Sequence, residues 1–429
     1  MATIRLTMDL HCGRINPHEA HADLLANCEG FDPVKFVWHV SQSRSPVSEF
    51  DWLEPPSPGY QRTRLALQHY IPMLSKPEII LQRVGKAVNV GDSYAGLAAL
   101  RAVLVRDGDL TPGEMVGSSL IYDESTATAV KSFQHRHGLN PDGVLTAESY
   151  RQLSVSIEDR VAQLQLTLER WRWISQAFAE PPIVVNIPEF KLRAYDSNLR
   201  VVLAMEVIVG GAYHRQTPVF QNQISSIIFR PYWNIPQDIQ HREMEPAMRR
   251  DSTYLAKHDY EKVSIPGKGF RIRQRPGDRN ALGLIKFSLP NRYDIYLHGT
   301  PLPKLFEKTR RDFSHGCIRL KDPAALAVWA LQLNGGWSKE KVEAAMHGEQ
   351  TTTVSLVNPI PVLIVYATAF AGEDNVVYFL PDIYKEDKSL AALLQAASKK
   401  RHAENVEDAG ALSGAINNQV EGRNSKGSL

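Results

Sequence analysis

The sequence predicts a multidomain α+β protein: a mainly β domain carrying an inserted helical cap, a small three-helix module ahead of it, and a partial N-terminal supporting domain. Three observations predict this. The chain has 429 residues, more than one hydrophobic core usually spans, so two or three domains are expected. Between Gly91 and Leu153 three short apolar patterns with helical spacing follow one another, separated by Gly, Pro and Asp. After "EPP" at 180–182 the apolar period shortens to the two-residue alternation of strands.

Composition narrows the function classes. With 43% hydrophobic residues, 22% charged residues and a formal net charge of +2, the chain is globular and gives no reason to expect a nucleic-acid partner. It contains no run of eighteen or more apolar residues, so no transmembrane segment is expected in it. "MATIRLTMDLHCGRINPHEA" has neither an apolar core nor a small-residue cleavage site and does not read as a secretory signal.

Residues 1–85 are proline-punctuated, with a helix expected from Tyr60 to Tyr70, and read as the partial supporting domain. In the module at 86–155, "STATAVKSFQHRHGL" places Ala129, Val130 and Phe133 on one stripe and Gly138 at a left-handed C-cap; "NPDGVLTAESYRQL" is a turn into a further helix. Ser156 with Asp159 opens a connecting helix at 156–180, whose stripe is Ile157, Val161, Leu164, Leu168 and Trp171. Residues 181–397 hold the strands: "IVVNI", "FKLRAY", "LRVVLAMEVIVGG", "SIIFR", "GLIKFS", "DIYLH", "CIRL", "PVLIVYAT" and "VVYFL". A charged insertion at about 233–280 interrupts them and is expected to be helical, as a lid or binding excursion would be. Asp322 and Pro323 begin a helix as N-cap and first residue. The polar stretch 398–429 reads as a disordered tail.

The chemistry centres on Cys317. The chain has three cysteines; Cys12 and Cys28 either pair or stay free, and Cys317 has no nearby cysteine in sequence. In "DFSHGCIRL" three roles are open to Cys317: inert core thiol, metal ligand, or nucleophile. His298, His315 and Cys317 are the right ligand types for zinc, but the chain has no H-E-x-x-H or C-x-x-C, and a ligand pair two residues apart is a poor clamp. As a nucleophile, Cys317 needs an imidazole or a positive field to hold its thiolate. His315 shares a face with Cys317 if the segment is extended, and His298, from another strand, reaches across the sheet. The N–H groups of Gly316 and Cys317 are candidate oxyanion donors. Arg319 either steadies a thiolate, holds a substrate carboxylate, or forms a structural ion pair.

"IYLHGTP", followed by "SHGCIRL" with fifteen residues between His298 and Ser314, resembles the signature of the YkuD-type L,D-transpeptidases. "NIPEFKLRAYD", "VIVGGAYHRQTPVF", "RPYWNIPQDI" and "RQRPGDRNALGLIKFSLPNRYDIYLHGTP" extend the resemblance to the large YcbB-like branch, from about Leu166 to Tyr384. It implies a YkuD-like β-sandwich with a capping insertion. Cys317 would be the nucleophile, His298 the general acid/base, Gly299 the residue whose carbonyl orients His298, and His315 a residue shaping the site. Tyr296, Ser314 and Arg319 would meet substrate, and Trp233 would either do so or anchor the core or hinge of the insertion. Gly299 stands where this branch has aspartate, which leaves the backbone carbonyl in place. Arg271, Arg273, Arg275 and Arg279 of the cap would either meet stem-peptide carboxylates or stand as solvated surface arginines. "AVKSFQHRHGLNPDGVLTAES" is similar to the peptidoglycan-binding type 1 domain, with Thr146 at a glycine position and Ser149 at a threonine position. Backbone strain is expected at Thr146 if that turn needs a positive φ.

The function implied is an L,D-transpeptidase forming 3-3 cross-links between peptidoglycan tetrapeptide stems, donor and acceptor, through a cysteine thioester with release of D-Ala. Carbapenems are expected to acylate Cys317. No metal or organic cofactor is needed. A peptidoglycan substrate further implies an exported, periplasmic protein whose signal segment is absent from this chain. A stem-peptide carboxypeptidase or amidase, and a non-catalytic wall-binding protein, are the alternatives.

Overall fold

The computed structural model describes residues 2–404 except 25–27, 29, 116–118, 175–177, 179, 213–214 and 268. A two-residue strand, β1 (Ala22–Asp23), comes from the N-terminal region. The main sheet contains β2 (Ile183–Asn186), β3 (Lys191–Tyr195), β4 (Val201–Ile208) and β5 (Val219–Phe229). The insertion holds β6 (Trp233–Asn234), β7 (Tyr260–Ile265) and β8 (Gly269–Gln274). The main sheet resumes with β9 (Ile285–Ser288), β10 (Leu297–His298), β11 (Ile318–Leu320) and β12 (Thr352–Val365), and a hairpin of β13 (Ala369–Ala371) and β14 (Val377–Phe379) follows.

Neighbouring strands run β5, β12, β2, β3, β4, β11, β10, β9, and β9 pairs again with β5. The two faces of the expected sandwich are thus joined into one closed sheet. Alternation explains its interior: Ile183, Val185, Leu192, Ala194, Val207, Ile285, Phe287, Leu297, Ile318 and Leu320 belong to one buried core, while the residues between them face outward. Helix Pro323–Leu333 contributes Leu326, Ala327, Ala330 and Leu331 to the same core, and Asp322 Oδ1 caps it by accepting from the Ala325 N–H at 2.9 Å. Strand β12 is longer than its apolar stretch indicates. It passes Pro359 across an irregularity between Ser355 and Ile360, which accommodates a residue that cannot donate to a ladder, and Pro361 resumes the register opposite Gln223.

The helical module has its own core around Leu97, Leu100, Leu104, Val130, Phe133 and Leu145. Gly138 and Gly143 take the positive φ values, 65° and 77°. Thr146 does not: at φ −91° it is the N-cap of helix Ala147–Leu153, its hydroxyl accepting from the Ser149 N–H. The expected strain at Thr146 is absent because Gly143 bears the turn. The connecting helix runs Ile157–Arg172 with Ser156 accepting from the Asp159 N–H, and buries Val161, Leu164 and Leu168.

N-terminal helices Ala2–Cys12, Pro33–Gln42 and Pro58–Tyr70 precede it, and a disulfide joins Cys12 to Cys28. The polar stretch expected to be a tail begins differently: residues 398–404 continue a helix from 386. Leu390, Leu393, Leu394 and Ala397 give that helix an apolar stripe, and Arg401 and Glu404 return to Asp9 and Arg5 of the first helix. Residues 405–429 lie outside the described residues. Among the described residues no helix is long and apolar enough to cross a membrane.

The insertion is helical in its first half only. Residues 237–250 and 254–257 are helical, with a π-turn over Gln240–Met244, and the second half is a hairpin of β7 and β8 joined by β6. Ile235, Met244 and Ile272 form a small core of its own. Within "GFRIRQ" the buried residues are Ile272 and Gln274, two apart with a polar neighbour between them, a strand pattern rather than a helical one.

Candidate active site

Three adjacent strands build one outward face. Strand β10 is parallel to β11 with His298 opposite Arg319, and antiparallel to β9 with His298 opposite Lys286. Side chains in register point to the same side of a sheet, so Lys286, His298 and Arg319 form a row, and Tyr296 and Cys317 lie one pleat along. The intervening Leu297, Ile318 and Phe287 fill the core and fix the strands' rotation.

Cys317 is partly buried and is the free cysteine of the chain. Its Sγ lies 3.6 Å from the Asp294 carbonyl oxygen, and the backbone N–H and hydroxyl of Tyr296 face the sulfur. Burial pushes the thiol's pKa up; the Tyr296 hydrogen bonds and the charge of Lys286 act against that. The Tyr296 hydroxyl, buried beside Cys317 and touched by the Trp233 indole, is raised far above the ordinary phenol range and stays a donor.

His298 is 4% exposed. Burial, with Arg319 and Lys286 nearby, lowers its pKa to about 3. The imidazole is therefore neutral at pH 7. The Gly299 and Leu282 carbonyls face the ring, although Nδ1 makes no well-formed hydrogen bond among the described residues. Gly299 itself is held by its N–H to the Ile285 carbonyl oxygen at 3.0 Å.

Other expected residues sit differently. His315 does not share the face of Cys317, because Gly316 between them has φ +118° and breaks the extended alternation. A side chain at Gly316 would also meet Ile295 Cδ1 at 3.1 Å. His315 Nε2 instead lies 3.0 Å from Glu243 Oε1 of the cap. Ser314, expected to touch substrate, is 3% exposed and staples the loop, donating to the Cys317 carbonyl oxygen at 2.5 Å and accepting from the Gly316 N–H at 3.1 Å. That bond occupies the Gly316 N–H, so of the two expected oxyanion donors only the Cys317 N–H lacks an acceptor among the described residues.

Arg319 makes no ion pair with a described residue, and its Nε is buried without a partner. Three of the four cap arginines are already neutralised: Arg273 and Arg275 by Glu261, Arg279 by Asp259. Only Arg271 of that set pairs with no described carboxylate. Trp233 packs against the cap core and also meets Tyr296, so it joins the two.

Sequence reasoning missed three residues. Lys286 carries its Nζ 3.9 Å from the Tyr296 ring centroid; its signal was a lone cation between the core residues Ile285 and Phe287. Thr217 Oγ1 donates to the Gly316 carbonyl oxygen at 2.7 Å and accepts from the Gly210 N–H at 2.9 Å, which ties the Cys317 loop to the loop after β4. Glu243 bridges His315 and Arg215, the latter at 2.9 Å, and these two partners hold its carboxyl below the usual range. No local pattern announces such long-range pairs. Glu243→Gln is expected to loosen the cap. Exposed pairs of this kind are worth up to about 1 kcal/mol, so a bulky thiol reagent should reach Cys317 up to about fivefold faster, read by intact mass.

A cavity of about 200 Å³ lies behind Gly299, lined by Gly283, Leu284, Thr300 and Lys321. A larger one, about 780 Å³, is remote from Cys317 and lies between the connecting helix, Pro58–Gly59 and strands β2 and β3.

The family model described as the L,D-transpeptidase catalytic domain (YkuD) matches residues 181–354. The chain carries a YkuD L,D-transpeptidase catalytic domain. Ahead of this transpeptidase domain, residues 96–153 match the model described as "Putative peptidoglycan binding domain" and residues 1–67 the one described as "Scaffold domain". A protein of Haemophilus influenzae described as "Putative L,D-transpeptidase" is 33% identical over 225 residues, covering 48% of this chain and 45% of that relative. The match thus spans about half the length of each. Two solved structures align with 11% identity over 65% of this chain: an L,D-transpeptidase of Stackebrandtia nassauensis, TM-score 0.24, covered over 94% of its length, and a fused Zn-dependent amidase/peptidase/peptidoglycan-binding protein of Clostridium acetobutylicum, TM-score 0.17, covered over 99%. Those superpositions are too loose to bear on the fold.

Proposed function

We propose that this protein cross-links peptidoglycan stems through a thioester on Cys317. The observation that carries the reading is the row of Lys286, His298 and Arg319 beside Tyr296 and Cys317 on one face, with a free thiol and a neutral imidazole on neighbouring strands. Sγ attacks the carbonyl of the third residue of a tetrapeptide stem, and the thiol proton passes to His298. The carbon–nitrogen bond to D-Ala then breaks as His298 returns that proton to the leaving amine. An amine of a second stem attacks the thioester, forming a 3-3 bond and regenerating the thiol.

The Cys317 N–H and the unpaired Arg319 guanidinium are the donors available for the developing oxyanion or for a substrate carboxylate. Tyr296 keeps the sulfur in place, and Trp233 fixes Tyr296 from the cap. The strained carbonyl of a carbapenem suits the same nucleophile. A peptidoglycan substrate places the protein outside the inner membrane, and the Cys12–Cys28 disulfide supports an oxidising compartment.

The test is to incubate the protein with purified tetrapeptide muropeptides and analyse both protein and products. Expected are an acyl-enzyme mass lacking D-Ala and dimers joined 3-3, insensitive to chelators. Trimmed monomers alone would replace this reading by a carboxypeptidase, and loss of activity with chelator by a metal amidase.

A further inference from the structure

We propose that Lys286 is the positioning residue that eases deprotonation of Cys317, its ammonium supplying positive field for the thiolate while seated on the Tyr296 ring beside the sulfur. This rests on Cys317 being the nucleophile. The geometry is specific. Lys286 stands opposite His298 on β9, and its Nζ sits 3.9 Å from the centroid of the Tyr296 ring, whose hydroxyl faces Sγ. One cation therefore acts on the sulfur directly through space and through the ring that holds it.

A half-buried ammonium normally has a carboxylate partner. Lys286 forms an ion pair with no described residue; burial pushes its own pKa down, and the Tyr296 ring, the charge of Asp294 and whatever negative charge develops on Cys317 compensate it. The groups facing the thiol leave few other candidates. Asp294 opposes a thiolate, Tyr296 donates as a neutral phenol, and His298 on β10 is neutral near pH 7 and supplies no imidazolium. His315 is directed to Glu243 on the cap. Only Lys286 from β9 and Arg319 from β11 remain as cations, and Arg319 lacks the connection through Tyr296. The neutral imidazole is then free to receive the proton rather than to hold the anion.

The test compares wild type, Lys286→Met and Lys286→Arg by following iodoacetamide alkylation of Cys317 by intact mass from about pH 5 to about pH 10, with thermal melts alongside. Lys286→Met should alkylate about tenfold more slowly at pH 7, with the rise of its rate displaced to higher pH. Lys286→Arg should restore most of the neutral rate. A Lys286→Met profile superimposable on wild type would overturn the proposal. So would a rate lowered equally at every pH in both variants with reduced melting temperature, since that is a folding role. Should Cys317→Ala take up the label as wild type does, the nucleophile reading itself fails, whatever Lys286 does.

Discussion

Cys317→Ala is expected to form no covalent adduct with a carbapenem or a tetrapeptide stem and to release no D-Ala. The other two cysteines are joined to each other, so Cys317 is the only free thiol among the described residues. A thiol reagent should accordingly label wild type once and the variant not at all. Fold is not at stake in the comparison. The loop around residue 317 is held by Ser314, Thr217 and Gly316 backbone contacts that do not involve Sγ, so the variant should melt near the wild-type temperature. Residual cross-linking at more than a trace level would remove sulfur from the mechanism.

His298→Gln should lower turnover by about 10²–10⁴-fold, the usual worth of a positioned acid–base group, with both acylation and product formation affected. It should also change acid stability. In the folded protein His298 has its pKa depressed to about 3, whereas in the unfolded chain it titrates at about 6.5. Between those values the unfolded state binds the extra proton, so the stability His298 contributes at neutral pH is lost as pH falls from about 6.5 towards 3. Glutamine takes up no proton in that window. Melting temperatures followed from neutral pH downward should fall less steeply for His298→Gln than for wild type; parallel curves would mean that the imidazole is not held neutral by its surroundings.

The face that bears this chemistry was partly legible in the amino-acid sequence. Tyr296, His298, Cys317 and Arg319 occupy alternate positions of two apolar stretches, so a period of two already puts each pair on one side. Which strands become neighbours is a different question. The pairing of β10 with both β9 and β11 is set by contacts far apart in the chain, and without it Lys286 was only a cation in a strand. His315 was misplaced because the alternation rule assumes extended backbone, and the glycine beside it is not extended. Helix caps at Ser156 and Asp322 were readable because a cap needs only residues three apart. Of the N-terminal helices, Pro58–Tyr70 was expected from Tyr60 onward; the first helix and the helix reaching 404 were not, since they depend on Arg401, Glu404 and Glu169 meeting residues near the start of the chain.

The closed sheet carries a consequence for how a stem peptide is gripped. With β10 flanked on both sides, the backbone donors and acceptors around His298 are spent within the protein, and no open ladder is offered to an incoming chain. A bound peptide therefore cannot dock as an additional strand at the reacting residues; it must be read by side chains and loop amides projecting from the wall. Selectivity for donor and acceptor stems thereby becomes a property of individual residues that can be exchanged while the sheet beneath them stays as it is.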